Sequence, residues 1–196
     1  GPVVLARPAT VKARYARGTD VLPFVAVRDY LPTDRAARPA DYPLGALLAN
    51  GLQVAEIRHG PARLYDLMLQ PPARTFTRAT WQLGDYAKET DFGLRQTCLI
   101  RIPARGFWQF HLKRGNAATA GIVVAHPEKD LVTRPLASVG WWAETESGSI
   151  PLEAGFHHLE IQYGCFYNTQ NGLEIEIEGP GFPRQPLPDS WLYLLP

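Results

Sequence analysis

Apolar and polar residues alternate with a period of two through much of the 196-residue chain, the pattern of strands that bury one face. In Gly172-Leu173-Glu174-Ile175-Glu176-Ile177-Glu178, one side carries Leu173, Ile175 and Ile177 and the other three glutamates. No helix would segregate them. His157-His158-Leu159-Glu160-Ile161-Gln162-Tyr163 alternates as well, and a polar stretch with Asn168, Gln170 and Asn171 separates the two, which predicts an antiparallel hairpin. A second hairpin is expected where Cys98-Leu99-Ile100-Arg101-Ile102 stops at Pro103, turns through Gly106 and resumes as Phe107-Trp108-Gln109-Phe110-His111-Leu112. Its faces are Cys98, Ile100 and Ile102 on one strand and Trp108, Phe110 and Leu112 on the other. Shorter strands are predicted at residues 51–58, 76–81, 120–125 and 138–143, with turn clusters between them at the spacing of an all-β sandwich or barrel. Leu64, Leu67 and Met68 have helical spacing, which suggests a short helical turn in residues 62–70, confined by Pro61 and Pro71-Pro72.

The first thirty residues form a separate unit. Residues 10–16 alternate, Gly18-Thr19-Asp20 turns, and residues 22–28 run back as one hairpin. A lone hairpin is marginal in water, so it either docks on the main domain or closes a larger domain. Residues 32–43 carry Pro32, Pro39 and Pro43, mixed charge and no aliphatic run, which is linker composition. The expected organisation is a hairpin unit at 1–31, a Pro-rich linker at 32–48 and an antiparallel β-sandwich at 49–196.

Composition changes the picture in three ways. With 18 Pro and 17 Gly there is little room for long helices, and at this length a real core is available without staples. Twenty basic against 19 acidic side chains give a net charge of +1, with no basic field for phosphate neutralisation, so no nucleic-acid partner is expected. No apolar run approaches the ~20 residues of a membrane-spanning helix. The basic side chains are skewed to 16 Arg against 4 Lys, a bias that fits a GC-rich coding sequence better than a recognition surface. The opening Gly1-Pro2 reads either as the scar of a cleaved tag or as native sequence.

Two segments resemble known families. Gly1-Pro2-Val3-Val4-Leu5 followed by Thr10-Val11-Lys12-Ala13-Arg14-Tyr15-Ala16-Arg17-Gly18 resembles the closing strands of the fibronectin-type-III-associated module of bacterial β-N-acetylhexosaminidases. From about residue 51 to the end the chain resembles the protective-antigen-like β-sandwich found in adhesins and secreted glycosidases. The marks are Gly51-Leu52, Gly106-Phe107-Trp108-Gln109-Phe110, Leu152-Glu153-Ala154-Gly155 leading to a strand ending in Tyr163, Gly179-Pro180-Gly181, and Leu187-Pro188-Asp189-Ser190-Trp191-Leu192. The resemblance implies a secreted, cell-surface or periplasmic accessory module, with a glycan and the catalytic domain of a parent glycoside hydrolase as partners. Sugar-binding members of that family carry two adjacent aspartates that chelate Ca²⁺ after the Gly-aromatic strand. Here that stretch reads Leu112-Lys113-Arg114-Gly115-Asn116-Ala117-Ala118-Thr119, so no Ca²⁺ site and no other cofactor are expected.

Catalytic chemistry finds little support in the residues. Glu174, Glu176 and Glu178 share the outer face of one strand, Glu144 and Glu146 lie in a polar loop, and Asp85, Glu89 and Asp91 are interspersed with Lys88 and Gly84. None reads as a convergent acid and base pair. His157-His158 are strand neighbours on opposite faces and cannot share a metal. Aromatics with polar neighbours remain: Trp141-Trp142 beside Glu144, and Phe166-Tyr167-Asn168 at the tip of the predicted hairpin, compositions that suit stacking on a sugar ring although large aromatics more often serve core or interdomain packing. Cys98 and Cys165 could be bridged in an exported protein or stay as buried thiols. The resulting expectation is a noncatalytic carbohydrate-binding or scaffold module, with a structural or adhesin-type interaction module that has no sugar site as the alternative.

Overall fold

The computed structural model describes residues 9–17, 20–30, 48–58, 70–115, 118–125, 136–140, 143–165 and 171–196. The N-terminal hairpin consists of β1 (Ala9–Arg17) and β2 (Asp20–Tyr30), paired antiparallel from Ala9 opposite Tyr30 to Arg17 opposite Asp20. It forms a two-stranded sheet of its own. The turn at Gly18-Thr19, the Pro-rich segment 32–43 and the helical spacing at residues 62–69 lie outside the described residues.

The remaining strands build two antiparallel sheets stacked as a sandwich, the all-β architecture that the alternation predicts. One sheet contains β3 (Leu52–Arg58), β4 (Arg74–Arg78), β5 (Phe92–Ile102), β7 (Ala118–Ala125), β8 (Ala137–Val139) and β10 (Gly155–Cys165), in the order β4-β3-β5-β10-β7-β8. The short β13 (Leu192–Tyr193) adds to β5 beyond the end of β3. The other sheet contains β6 (Gly106–Arg114), β9 (Thr145–Leu152), β11 (Leu173–Gly179) and β12 (Phe182–Pro186), in the order β12-β11-β6-β9. Alternate residues of both sheets meet between them: Leu94, Cys98, Ile100 and Ile102 of β5, Leu159, Ile161 and Tyr163 of β10, and Trp108, Phe110, Leu112, Ile175 and Ile177 from the opposite sheet are all buried. Leu99, which points away from this interior, is fully buried too, so the centre of the larger sheet is covered on both faces.

The strongly alternating segments are strands as expected, whereas the strands expected at 76–81 and 138–143 are β4 (Arg74–Arg78) and β8 (Ala137–Val139), and the pairing differs. The partners of the two expected hairpins, β5 with β6 and β10 with β11, lie in opposite sheets. β5 and β10 instead pair with each other over eleven residues, Gly155 opposite Ile102 through Cys165 opposite Phe92. The physical reason is burial. A two-residue turn would leave Cys98, Ile100 and Ile102 coplanar with Trp108, Phe110 and Leu112, whereas crossing from sheet to sheet at Pro103-Ala104-Arg105 sets these faces against each other. Glu146, expected with Glu144 in a polar loop, instead lies in β9 (Thr145–Leu152), an edge strand whose outward positions tolerate polar side chains.

The same register settles the cysteines. Cys98 stands opposite Leu159 and Cys165 opposite Phe92, six pairs apart along one ladder, or roughly 20 Å at strand rise. A disulfide requires Cα atoms within about 7 Å, so the bridge between Cys98 and Cys165 is ruled out, and both are buried free thiols.

Close packing at the far end of the sandwich depends on glycine. A Cβ on Gly179 would lie 2.4 Å from the Trp108 ring. That ring cannot retreat: its indole N–H donates to the Ala104 carbonyl at 2.9 Å, and Phe182 and Trp191 pack on it with centroids 5.6 and 5.8 Å away. The C-terminal segment closes the domain. Leu187 N–H donates to Ile175 O, the Trp81 indole donates to Leu187 O, Gly51 N–H donates to Leu192 O, and Leu194 N–H donates to Ala49 O.

Candidate ligand site at one end of the sandwich

At the end opposite Trp108, several connections meet. β6 ends at Arg114, β7 begins at Ala118 opposite Cys165, β9 begins at Thr145, and β11 begins at Leu173 opposite Arg114. Arg114 joins them. Its backbone N–H donates to Glu144 O at 3.0 Å, its Nε donates to Gly140 O at 3.0 Å and to Ala143 O at 3.3 Å, and its Nη1 donates to Gly115 O at 2.8 Å. Gly140 and Ala143 close a tight turn by exchanging backbone hydrogen bonds of 3.2 and 3.1 Å, and Gly115 N–H reaches Gly172 O at 2.7 Å. A guanidinium is suited to this role because its fixed fork of donors can hold carbonyls of separate loops at once.

Asn171 secures the neighbouring side. Its Nδ2 donates to Tyr86 O at 3.2 Å and to Glu89 O at 2.7 Å, its backbone N–H donates to Ala87 O at 3.1 Å, and its Oδ1 accepts from the Tyr163 hydroxyl at 3.2 Å. Burial raises the pKa of Tyr163 well above the ordinary phenol value, which keeps it a neutral donor. The 3₁₀ turn Gly84–Lys88 is thereby tied to the start of β11.

A buried ion cluster ties that turn to the larger sheet. Glu56 on β3 faces inward and is fully buried. Its carboxylate accepts from Arg74 Nε at 2.6 Å and from the Tyr86 hydroxyl, and it pairs with Arg74 Nη2 at 2.6 Å and Arg58 Nη2 at 2.7 Å. Burial alone would raise the Glu56 pKa. The bonds from Tyr86 and Arg74, with the charges of Arg58 and Arg74, outweigh burial and hold it below the ordinary carboxylate value. The Arg74 guanidinium also lies 5.0 Å over the Phe76 ring.

Of the residues singled out in the sequence, Glu144 is exposed at this end and its carbonyl is held by Arg114. Trp141 and Trp142 lie in sequence between Gly140 and Ala143, and Phe166, Tyr167 and Asn168 follow Cys165; these five lie outside the described residues, though the described residues on either side of them meet here. Two groups escaped sequence reasoning. Arg114 was read only as a cation in place of an acidic pair. Glu56 carried a usable signal, since Leu52, Val54 and Glu56 share one parity and an inward carboxylate requires cationic partners. Among the described residues, no group of three or more His, Cys, Asp or Glu side chains is gathered as a metal site.

No family model matches the sequence, and no curated protein matches it either. Solved structures do match in shape. The PA14 sugar-binding domain of an RTX adhesin superposes with a TM-score of 0.54 at 16% identity, covering 74% of this chain and 99% of that one. The fold is a PA14-type β-sandwich. The epithelial adhesin 9 A domain from Candida glabrata, solved in complex with Galβ1-3GlcNAc, superposes with a TM-score of 0.55 at 11% identity, over 82% of this chain and 95% of that one. An anti-sigma factor domain-containing protein from Clostridium clariflavum matches at a TM-score of 0.55 and 19% identity over 80% of this chain, which spans about half (52%) of its length. At these identities the likeness concerns the PA14-type fold alone.

Proposed function

We propose that residues 49–196 form a noncatalytic glycan-binding module that presents its site at the Arg114 end of the sandwich. The observation that carries this reading is the meeting of the 140–143 turn and the 165–172 connection on Arg114 and Gly115, because those connections bear Trp141, Trp142, Phe166, Tyr167 and Asn168. Aromatic faces supply stacking surface for a pyranose ring, and Glu144 and Asn168 supply hydrogen-bonding groups for its hydroxyls. Arg114 holds the loop carbonyls with a covalently attached cation, so binding needs no metal. The likeness in shape to a PA14 sugar-binding domain and to an adhesin domain solved with sugar supports the choice of ligand class. In this reading β1 and β2 are the end of a preceding fibronectin-like module, joined through a linker at residues 32–48. The parent is a secreted or surface-exposed glycoside hydrolase, such as a β-N-acetylhexosaminidase.

Glycan-array binding followed by affinity electrophoresis tests the proposal. Retention of at least one glycan in the presence of EDTA, with loss of about tenfold or more in affinity on Trp142→Ala, is the expected result. Retention that disappears on chelation, or that is indifferent to Trp142→Ala and to Tyr167→Ala alike, overturns the site. No retained glycan at all favours the structural or adhesin-type interaction module.

A further inference from the structure

The outward face of the four-stranded sheet is not a featureless solvated surface. Its side chains form rows across the strands: Ser149, Gln109 and Glu178, then Ser147, His111 and Glu176, then Thr145, Lys113 and Glu174. Phe107 stands at one end, 42% exposed, the one large apolar side chain left so open among the described residues. Two hollows indent this face. One of about 260 Å³ is lined by Phe107, Gln109, Ser149, Glu178, Gly179 and Phe182. The other, of about 410 Å³, lies among His111, Lys113, Thr145, Ser147, Glu174 and Arg184. His111 separates them, fixed by Ser147 Oγ at 2.7 Å from Nδ1 and Glu178 Oε1 at 3.2 Å from Nε2.

The cations on this face are already paired. Lys113 pairs with Glu174 at 2.7 Å and Arg184 Nε donates to Glu176 at 2.6 Å, while Glu178 lies 3.2 Å from His111 Nε2. An anionic ligand would have to break one of these pairs to gain a cation. A neutral polyhydroxylated ligand would not, since ion-paired carboxylates keep lone pairs for hydroxyl donors and Ser147, Ser149, Thr145 and Gln109 add both donors and acceptors. Phe107 offers the apolar plate on which the carbon face of a pyranose ring rests. From Phe107 to Lys113 the row runs six residues, roughly 20 Å at strand rise, which is room for more than one sugar ring.

We propose that the outer face of the four-stranded sheet, from Phe107 to Lys113, is a second binding site that takes a neutral oligosaccharide, separate from the Arg114 end. Phe107 stacks on one ring, Gln109, Ser149 and Glu178 read its hydroxyls, and the hollow beyond His111 takes the next ring. Because the two sites stand on different elements, either can exist without the other.

The test is an amide NMR titration of the full chain with triacetylchitotriose, cellotriose, xylotriose and a β-galactosyl trisaccharide, repeated on Phe107→Ala and Gln109→Ala. Saturable shifts in β6, β9 and β11 between Phe107 and Lys113 are expected with at least one of these sugars, reduced about tenfold in affinity by Phe107→Ala and severalfold by Gln109→Ala. Phe107 is exposed, so its truncation leaves the fold intact, which the unchanged dispersion of the core amides verifies. Shifts confined to residues 114–118, 140–145 and 165–172 overturn the second site while supporting the first. Shifts on this face that appear only with an anionic sugar such as trigalacturonate, an absence of shifts with every probe, or shifts that follow protein concentration because copies associate also overturn it.

Discussion

Replacing Glu56 by Gln tests the connection between the buried ion cluster and the loop end. The side chain keeps its shape but loses its charge, and its amide nitrogen must face donors: Tyr86 and both arginines offer only O–H or N–H groups to this carboxylate. Breaking a buried, hydrogen-bonded pair from one side costs about 3–5 kcal/mol. Arg58 and Arg74 are 54% and 59% exposed and can recover water, whereas position 56 cannot, so the expected cost falls at the low end, about 3 kcal/mol. For a chain of this size each kcal/mol moves the midpoint by roughly 2–4 °C, so Glu56→Gln should melt about 6–12 °C below the parent. The pH dependence follows from the depressed pKa. The cluster contributes fully above the ordinary carboxylate value of 4.5 and loses its contribution as pH falls through the lower folded value. Differential scanning calorimetry from pH 7 to pH 3 should therefore show the two proteins converging in acid. A loss under 0.5 kcal/mol at neutral pH, or a gap that stays constant into acid, would refute the reasoning.

Three further outcomes are expected. Gly179→Ala drives a methyl into the Trp108 ring and should cost about 1–3 kcal/mol in urea unfolding, with a changed near-ultraviolet tryptophan signal; an unchanged midpoint would mean that the strand end shifts freely. Burial pushes the Cys98 thiol up to about 12, so Cys98 should resist a disulfide reagent in the native protein at pH 8, while both thiols titrate in denaturant without reductant; fewer than two titrated thiols contradicts the register between β5 and β10. Asn171→Ala removes the ties to Tyr86, Glu89 and Tyr163 and should cost roughly 2–3 kcal/mol. Hydrogen exchange should then quicken at Ala87, Glu89 and Gly172 before the core, and uniform quickening would argue against a local role.

How much of this was legible in the sequence depended on the range of the interaction. Strand positions come from local alternation, so Leu173 to Glu178 and Phe107 to Leu112 fall in strands as expected. Pairing is decided by which apolar faces must cover each other, and Ile102 and Gly106 are only four residues apart yet lie in different sheets. Sequence proximity favours a hairpin there, whereas burying Trp108 against the partner sheet favours a crossing. The candidate site shows the same division. Composition picked out Trp141, Trp142 and Glu144, but that Arg114 would hold the carbonyls of Gly140 and Ala143 depends on contacts 26 and 29 residues away along the chain. Glu56 was readable in principle from its inward parity; its partner Tyr86, thirty residues on, was not.

The pairing of Ala49 to Gly51 with Leu192 to Leu194 bears on how the molecule carries load. The incoming and outgoing segments run antiparallel and leave the sandwich side by side, with Asn50 opposite Tyr193 and Leu194 N–H on Ala49 O. Tension applied at Ala49 and Leu194 therefore acts first on this clasp and on the pairing of Leu192 and Tyr193 with Ile100 and Leu99 of β5, peeling these bonds before it loads the rest of the two sheets.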